Sequence, residues 1–272
     1  MATPIGNLAD LTLRAIHVLG LVDAVACEDT RVGAGLLRHL SIEVPLLALH
    51  EHNERSATAR VLERLAAGER VACISDAGTP AVSDPGAALV AAVRQAGQTV
   101  VVVPGASSVA AAVSVAGDTL GAGFVFVGFA PLKAGERSAL WREMAAQPAR
   151  SVVLFEAPHR IEALASELAR ALPTRRLTLC RELTKQFETV HCLDAAALPA
   201  WLAADANRLR GEFVLVIHAG APRDNADDGD ALRVLDLLLA ELPLKQAVGL
   251  AAAISGAKRN ALYDAALARR AR

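Results

Sequence analysis

Three loops rich in glycine, proline and serine are the most distinctive feature of this sequence. They are TPIGN at residues 3–7, SDAGTPAVSDPG at residues 75–86 and PGASS at residues 104–108. Glycine lets a backbone approach a ligand closely, and the N–H groups of such turns can bind an anionic group. The helix expected after PGASS adds free N–H groups at its N-terminus. We expect all three loops at the carboxyl edge of one parallel sheet, where open α/β folds bind ligands.

Four charged clusters follow further strand patterns and should lie on the same rim. They are CEDTR at residues 27–31, HEHNER at 50–55, FEAPHR at 155–160 and RELTKQFE at 181–188. Charged groups packed at strand ends can hold a substrate or shift one another's pKa. Ion pairing between domains and helix capping are the alternative interpretation of each cluster.

Several common nucleotide and hydrolase motifs are absent from the sequence. There is no phosphate loop of the Walker type. The segment GAGLLR has Arg38 where the dinucleotide-binding fingerprint needs its third glycine. The segment GASSV has Val109 in place of the closing glycine of a nucleophile elbow, which disfavours a serine hydrolase.

The composition indicates a globular protein without a strong charge field. The chain has 272 residues, of which 53% are hydrophobic and 21% charged, and its formal net charge is -1. This length predicts two domains, and the near-neutral charge provides no general attraction to nucleic acid. The 6 Phe, 2 Trp and 1 Tyr are too few for a platform that stacks single-stranded bases.

The cysteines and the apolar segments predict a cytoplasmic protein with no metal site and no membrane association. The four cysteines include no CxxC pair, so buried reduced thiols are expected. The most apolar window begins at Thr99, but Pro104 and Gly105 interrupt it. A strand, a tight turn and a helix explain this window better than a membrane span.

Alternating strand and helix patterns extend from the start of the chain to about residue 115. Strands are expected near Asp23, Leu46, Val71 and Val100, and helices over 8–19, 31–40, 54–67 and 85–96. Asp84 should cap the last of these helices, with Pro85 at its first position. Strands that are apolar on both faces and alternate with helices predict a parallel sheet covered by helices.

A second α/β series follows the glycines near residue 120 and predicts a mixed sheet. Its strand patterns are GFVFVGF, SVVLFEA, RRLTLCRE, FETVHCL and EFVLVIHA, and its helices are expected over 137–146, 159–171 and 195–204. The predicted fold is α/β, with an N-terminal domain over 1–118 and a C-terminal domain over 119–220. The cleft between two such domains is a common ligand site.

A polar linker over residues 221–230 and a basic helical extension over 231–272 complete the predicted organisation. The extension contains seven Lys or Arg and three Asp or Glu. Two short helices around Gly256 resemble a helix-turn-helix, with Lys258 and Arg259 at the start of the second helix. Two interpretations stay open, a nucleic-acid contact and a small helical cap with a solvated basic end.

Taken together, the motifs resemble one known family. TPIGNLADLTLRA, ACEDTR, SDAGTPAVSDPG, PGASSVAAAV, FEAPHRI and RELTKQFE occur in this order. They resemble the ribosomal RNA small-subunit methyltransferase I group of the tetrapyrrole-methylase family, the class III S-adenosylmethionine-dependent methyltransferases. The resemblance covers nearly all of residues 1–220, and KRNALY in the extension is similar to the C-terminal part of that group.

This resemblance implies two α/β domains of tetrapyrrole-methylase type, a homodimer, and S-adenosylmethionine in the cleft between the domains. The implied reaction is 2′-O-methylation of a cytidine in the decoding region of 16S rRNA, with the small ribosomal subunit as partner. In the first domain, the implied donor-binding residues are Pro4, Gly6, Asn7, Asp76, Ala77, Gly78, Thr79, Pro80, Val82, Ser107 and Ser108. In the second domain, Phe155 and Leu183 would contact the adenosine part of the donor.

A general base is expected, because a ribose hydroxyl is a poor nucleophile until its proton is removed. The candidates are Glu156, His159 and Glu182, with Glu28 and Asp29 in reserve.

Basic residues near the cleft and in the extension are candidates for contacts with RNA phosphates. They are Arg31, Arg160, Lys185, Lys258 and Arg259. Two other functions remain as alternatives: methylation of a small tetrapyrrole or other non-RNA substrate, and a non-catalytic RNA-binding module. The basic extension argues against the first, and the complete set of donor loops argues against the second.

One departure from the family concerns the start of the chain. Members normally have an apolar strand before ATPIGNL, whereas Met1 stands directly before Ala2 here. We therefore expect that the true start lies upstream and that the strand supporting the first loop is missing from this reading frame.

Overall fold

The first sheet is parallel, as predicted, and has three short strands. The computed structural model describes residues 1–50, 53–220 and 228–270. The strands are β1 (Ala24–Cys27), β2 (Leu46–Ala48) and β3 (Val71–Cys73), in the order β2-β1-β3. The helices that pack around this sheet are α1 (Leu13–Leu19), α2 (Thr30–His39), α3 (Glu54–Ala66) and α4 (Ala87–Gln95).

Side-chain alternation along β1 explains why the first sheet is covered on both faces. Val25 and Cys27 belong to one apolar cluster, which includes Leu19 of α1. Ala24 and Ala26 belong to another, which contains residues of α3 and α4. Successive side chains of a strand point to opposite faces, so an apolar residue at every position of β1 requires helices on both sides.

The strand predicted near Val100 is not formed. Residues 98–107 have no regular secondary structure, and the exposed fraction of Val101 is 64%. The first residues of the chain lie between this run and β3, where the Ala2 N–H donates to the Val103 carbonyl at 3.1 Å. This hydrogen bond alone is not the row of hydrogen bonds that a strand needs from its neighbour.

The prediction that Asp84 caps α4 is also wrong. The helix begins at Ala87, and its N-cap residue is Gly86, which has a φ of +128°. This turn places Asp84 and Pro85 outside the helix. The Gly86 N–H lies 3.4 Å from a carboxylate oxygen of Glu54 in α3. The positive φ of Gly86 therefore forms the turn by which the backbone enters α4.

The second sheet has five strands and is mixed, as predicted. The strands are β4 (Phe124–Phe129), β5 (Ser151–Glu156), β6 (Arg176–Arg181), β7 (Thr189–Asp194) and β8 (Phe213–Ile217). Their order is β4-β5-β8-β6-β7, and only the β4–β5 pair is parallel. The helices of this part are α5 (Ser108–Ala116), α6 (Ala134–Ala146), α7 (Ile161–Ala171) and α8 (Leu198–Ala203).

Helix α5 lies between the two sheets in the order of the chain. It falls within the predicted N-terminal domain, yet Val109 and Ala112 pack with Val153 and Val214 of the second sheet. By its packing, α5 therefore belongs with the second sheet, and the chain passes from the first sheet to the second before α5 begins. The domain division at residue 118 stays a prediction.

The C-terminal extension is helical, as expected. Residues 221–227 of the predicted linker lie outside the described residues, and its last three residues already belong to α9 (Asp228–Glu241). The other helices are α10 (Leu244–Ser255) and α11 (Arg259–Arg270). Leu235, Val248 and Leu262 are buried in a cluster of their own. Among the described residues, no helix is both long and apolar enough to cross a membrane.

Asp118 fixes the segment between α5 and β4 to the second sheet. Its carboxylate accepts hydrogen bonds from the Ser151 hydroxyl at 2.5 Å and from the Ala219 N–H at 2.7 Å. It also accepts the N–H groups of Leu120 and Gly121. Burial opposes ionisation, but these hydrogen bonds hold the pKa of Asp118 below its usual value.

We predict that Asp118→Ala lowers the free energy of unfolding by about 2 kcal/mol, because it leaves several donors without their acceptor. Urea denaturation at neutral pH measures this loss. A lowered carboxyl pKa stabilises the fold above the unfolded-state pKa of 3.8, and this contribution is lost as the pH falls through the folded-state value. The difference from the unchanged chain should therefore shrink only at acidic pH. Asp194→Ala is the matched control, because Asp194 is exposed and makes no side-chain cap.

Candidate functional site

Hydrogen bonds join the three glycine-rich loops to one another. Thr3 and Gly78 form a reciprocal backbone pair, with N–H to carbonyl distances of 2.9 and 3.1 Å. The Thr79 hydroxyl donates to the Ala106 carbonyl of the third loop at 3.0 Å. The expected convergence of the loops at one edge of the first sheet is therefore observed.

Gly78 shows why glycine occupies the centre of this junction. Its φ is +82°, a conformation that favours glycine. A Cβ at this position would lie 3.2 Å from Cγ2 of Ile5 and 3.7 Å from the Ala106 carbonyl oxygen. A side chain at Gly78 would therefore strain the backbone and separate the first loop from the second.

The cleft cavity, of about 310 Å³, lies between these loops and the second sheet. The loops contribute Ile5, Ala77, Ser83, Asp84 and Ser108 to its lining. The second sheet and its loops contribute Phe129, Phe155, Glu156, Ala157, Pro158, Leu183, Glu212, Phe213 and Val214. Aromatic and aliphatic walls with a few polar groups are typical of a site for a small organic ligand.

The N-terminus of α5 opens near the cleft cavity. Ser107 is its N-cap residue and has an extended backbone, but its side chain makes no cap hydrogen bond. Ser108, the first helical residue, lines the cavity. The uncapped N–H groups of the first turn can therefore receive an anionic group of a ligand.

Glu156 is a buried carboxylate in the wall of the cleft cavity. The exposed fraction of its side chain is 1%, and Arg160 approaches one carboxylate oxygen at 3.1 Å. The same oxygen accepts the Ala157 N–H at 2.8 Å. Burial raises the pKa of Glu156, and these two contacts only partly offset that effect. A carboxylate with a raised pKa beside a ligand cavity can accept a proton.

Glu182 is held differently, in a charged cluster with Lys185 and Glu212. The Lys185 ammonium lies 2.9 Å from the Glu182 carboxylate and 3.0 Å from that of Glu212. Burial opposes ionisation, but the ion pair and the Glu212 N–H hold the pKa of Glu182 below its usual value. A carboxylate that is already paired in this way is a weaker base than Glu156.

The other candidate bases lie away from the cleft cavity. His159 is exposed and does not line it, because the turn after β5 carries its side chain to the surface. Asp29 accepts the Arg31 N–H as the N-cap of α2 and forms an ion pair with the Arg31 side chain, whose exposed fraction is 89%. Hydrogen bonds from Arg31 lower the pKa of Asp29 to about 2.

Several residues implied as donor contacts line a different space. We call it the loop cavity; its volume is about 380 Å³, and Pro4, Gly6 and Asp76 belong to its lining. Ala77 lines both cavities. Asn7 is exposed, and its side chain accepts the Ala9 N–H as the cap of a short 3-10 helix.

The remaining donor-loop residues shape the junction without lining either cavity. They are Gly78, Thr79, Pro80, Val82 and Ser107. Val82 is half-exposed, whereas the Thr79 side chain faces the third loop. Their contribution to donor binding stays a prediction.

Sequence reasoning missed several residues of the cleft cavity as ligand contacts. They include Asp84, Phe129 and Glu212. The sequence pattern around Asp84 predicts helix capping, and only the unusual length of the second loop indicates another role for this residue. Burial raises the pKa of Asp84. Phe129 belongs to a strand pattern that resembles ordinary core sequence.

The basic residues near the cleft are engaged with the protein itself. Arg160 pairs with Glu156 and donates to the Ala130 carbonyl at 2.5 Å. Lys185 is held by its two ion pairs. The predicted contacts of these two side chains with RNA phosphates stay a prediction. Lys258 and Arg259 are exposed at the start of α11.

No metal centre is found in the described part of the chain. Among those residues, no group of three or more His, Cys, Asp or Glu side chains could hold a metal ion. Two residues of the HEHNER cluster, Glu51 and His52, lie outside the described residues.

Comparison with protein families gives two matches. The family described as Tetrapyrrole (Corrin/Porphyrin) Methylases matches residues 2–199. The RsmI C-terminal HTH domain matches residues 225–270.

Curated relatives are similar over nearly the whole chain, and three of them share the name Ribosomal RNA small subunit methyltransferase I. The protein of Pseudomonas aeruginosa is 49% identical, over 99% of this chain and 96% of its own length. That of Neisseria meningitidis serogroup A is 48% identical, over 98% of this chain and 91% of its own. That of Escherichia coli O157:H7 is 44% identical, over 97% and 92%.

Solved structures with low sequence identity share the fold. A diphthine synthase has a TM-score of 0.60 and 14% identity, covering 80% of this chain and 88% of that structure. A uroporphyrin-III C-methyl transferase from Thermus thermophilus, complexed with S-adenyl homocysteine, has a TM-score of 0.54 and 18% identity, covering 80% and 96%. Together with the matches in sequence, these likenesses place the chain in the tetrapyrrole methylase family, within its ribosomal RNA small subunit methyltransferase I group.

Proposed function

We propose that this protein transfers a methyl group from S-adenosylmethionine to the 2′-hydroxyl of a cytidine in 16S rRNA of the small ribosomal subunit. S-adenosylmethionine is the methyl donor. The observation that carries the proposal is the cleft cavity between the joined loops and the second sheet. The rRNA substrate is supported by the names of relatives that match almost the entire chain.

The cleft cavity fits the donor in both its apolar and its polar parts. Phe155 and Leu183 offer apolar surfaces for the adenosine part. The first turn of α5, at Ser108, offers N–H groups to the donor carboxylate. Asp84 and Glu156 bring carboxylates near a ligand that carries a sulfonium and an ammonium charge.

Glu156 is the general base in this proposal. During transfer the ribose oxygen forms a bond to the methyl carbon as the sulfur–carbon bond breaks, and the hydroxyl proton must leave. The Glu156 carboxylate lies in the cavity wall, and burial raises its pKa, so it can take up that proton. Arg160 keeps the carboxylate oriented through their ion pair.

The C-terminal extension is proposed to contact the RNA. Lys258 and Arg259 are exposed at the N-terminal end of α11, on a three-helix unit with its own apolar core. Exposed cations of this kind bind phosphates and position a protein on its nucleic acid. Because the chain as a whole is nearly neutral, this basic extension provides a local contact for a substrate as large as a ribosomal subunit.

We also propose that the enzyme acts in the cytoplasm as a homodimer. Strand β4 lies at an edge of the second sheet. Phe124 and Phe129, at its two ends, are half-exposed. Exposed apolar side chains on an edge strand support association with a second copy of the chain.

Donor binding should depend on Phe155. We predict that Phe155→Ala weakens S-adenosylmethionine binding about tenfold, because it removes an aromatic wall from the site. Isothermal titration calorimetry measures the dissociation constant. Phe187→Ala is the matched control, because Phe187 is exposed and does not line the cleft cavity. Equal affinities for the two variants would contradict the placement of the donor.

Removal of the Glu156 carboxylate should slow the chemical step. We predict that Glu156→Gln lowers the single-turnover rate at saturating donor by about 10²- to 10⁴-fold. In the unchanged chain, the rate should rise with pH through a pKa above the usual glutamate value, and the variant should lack this limb. Glu143→Gln on the exposed face of α6 is the control. If Glu182→Gln or His159→Ala causes the larger loss, the base is misassigned.

The proposed substrate is tested with small ribosomal subunits from a strain that lacks this methyltransferase. Incubation with the protein and tritiated donor should label the 16S rRNA, and nucleoside analysis should identify 2′-O-methylcytidine. Label in a base or in another nucleoside would contradict the 2′-O-cytidine assignment. Absence of RNA labelling by a protein that binds the donor would contradict the rRNA substrate.

A further inference from the structure

The loop cavity is a second space beside the proposed donor site. It lies between the first loop, the middle of α2 and the start of the second loop. Ile5, Ala77 and Glu212 line both this cavity and the cleft cavity, so the two spaces adjoin. Two adjoining cavities suit a reaction with two substrates, because the reacting atoms must come within about 3.5 Å of each other.

The walls of the loop cavity suit a flat, aromatic ligand. Leu8, Leu36 and Ile74 provide apolar surface. Gly35 places a side-chain-free position of α2 along the cavity, and a Cβ there would meet no atom within 4 Å, whereas a Cβ at Gly33 would lie 2.9 Å from Sγ of the buried Cys27. The open space along α2 can therefore admit a nucleobase that has left its stack.

Most polar side chains of the loop cavity are already engaged within the protein. The Thr3 hydroxyl donates to the Ser75 carbonyl at 3.1 Å, and the Ser75 hydroxyl donates to the Gly78 carbonyl at 3.1 Å. Lys185 is held by two carboxylates. These groups shape the cavity, but their hydrogen-bonding capacity is directed towards neighbouring protein atoms.

Asp76 is oriented so that part of its carboxylate can serve a ligand. Its Oδ1 atom accepts the Asp29 N–H at 3.0 Å, which fixes the side chain in the cavity wall. An ionised carboxylate has about four acceptor sites, so one hydrogen bond leaves the Oδ2 atom for another donor. Carboxylates recognise cytosine through its exocyclic amino group, whereas uracil presents a carbonyl oxygen at that position.

We propose that the loop cavity binds the base of the acceptor nucleoside and that Asp76 selects cytosine over uracil by accepting its amino group. This inference rests on the proposed function, because it assigns the acceptor of the same reaction. The proposal reassigns Asp76 from a contact of the methyl donor to a contact of the acceptor base, and it assigns that base to the loop cavity.

The test is a change of base preference in Asp76→Asn. The amide can keep its oxygen on the Asp29 N–H and then points its NH₂ group into the cavity, where it repels the cytosine amino group and matches the uracil carbonyl. Single-turnover methylation is measured on small subunits with cytidine or uridine at the position that the unchanged chain modifies. The ratio of the cytidine rate to the uridine rate should fall about 10- to 100-fold.

Two further variants make the result decisive. Asp76→Ala has neither acceptor nor donor, so it should lose cytidine methylation without gaining uridine methylation. Asp194→Asn removes a carboxylate from the end of β7 and should keep the original ratio. Donor calorimetry should give the same affinity for all three variants as for the unchanged chain. Thermal denaturation should show that all three are folded, with Asp76→Ala less stable because the Asp29 N–H loses its acceptor.

An unchanged base ratio in a folded Asp76→Asn protein would overturn the proposal. Weakened donor binding in that variant would overturn it too, because it would assign Asp76 to the donor. Failure of the proposed function has a different signature, since the unchanged chain itself would then not methylate cytidine in the subunit.

Discussion

The reciprocal hydrogen bonds between Thr3 and Gly78 hold together the edge of the molecule on which both cavities depend. Ile5 lies two residues after this pair on one loop, and Ala77 lies one residue before it on the other. These two residues line both the loop cavity and the cleft cavity. A shift of the first loop would therefore alter both cavities together, which ties the alignment of the proposed donor and acceptor to this backbone pair.

The carboxylates near this edge differ in what holds them, and this difference separates their roles. Burial dominates at Glu156 and raises its pKa, although Arg160 lies at 3.1 Å. At Glu182 the Lys185 ammonium and a backbone N–H outweigh burial, and the pKa falls. The Asp29 carboxylate is committed to α2 and to Arg31. Of these three environments, only the first leaves a carboxylate that can gain a proton beside the cleft cavity. Asp84, which also lines that cavity, has a pKa raised by burial as well.

Much of the architecture followed from local sequence, because apolar alternation and turn residues act over short distances. The parallel first sheet, the mixed second sheet, the helical extension and the meeting of the three loops were all predicted. The strand at Val100 failed for a non-local reason, since a β-branched run forms a strand only where a neighbouring segment can pair with it. Asp84 and Phe129 enter the cleft cavity through tertiary packing, which their sequence positions do not encode.

The RELTK segment shows why charged motifs of this kind combine structural and functional signals. Glu182 and Thr184 have φ values of +53° and +65°, a conformation that costs a non-glycine residue about 1 kcal/mol or more. This turn brings the stem of Lys185 against Gly6, where a Cβ would lie 2.4 Å from Cγ of the lysine. The lysine ion pairs then close the wall of the loop cavity. The charged residues of this segment therefore contribute to the site structurally. They hold the second half of the molecule against the first loop and form part of the cavity wall.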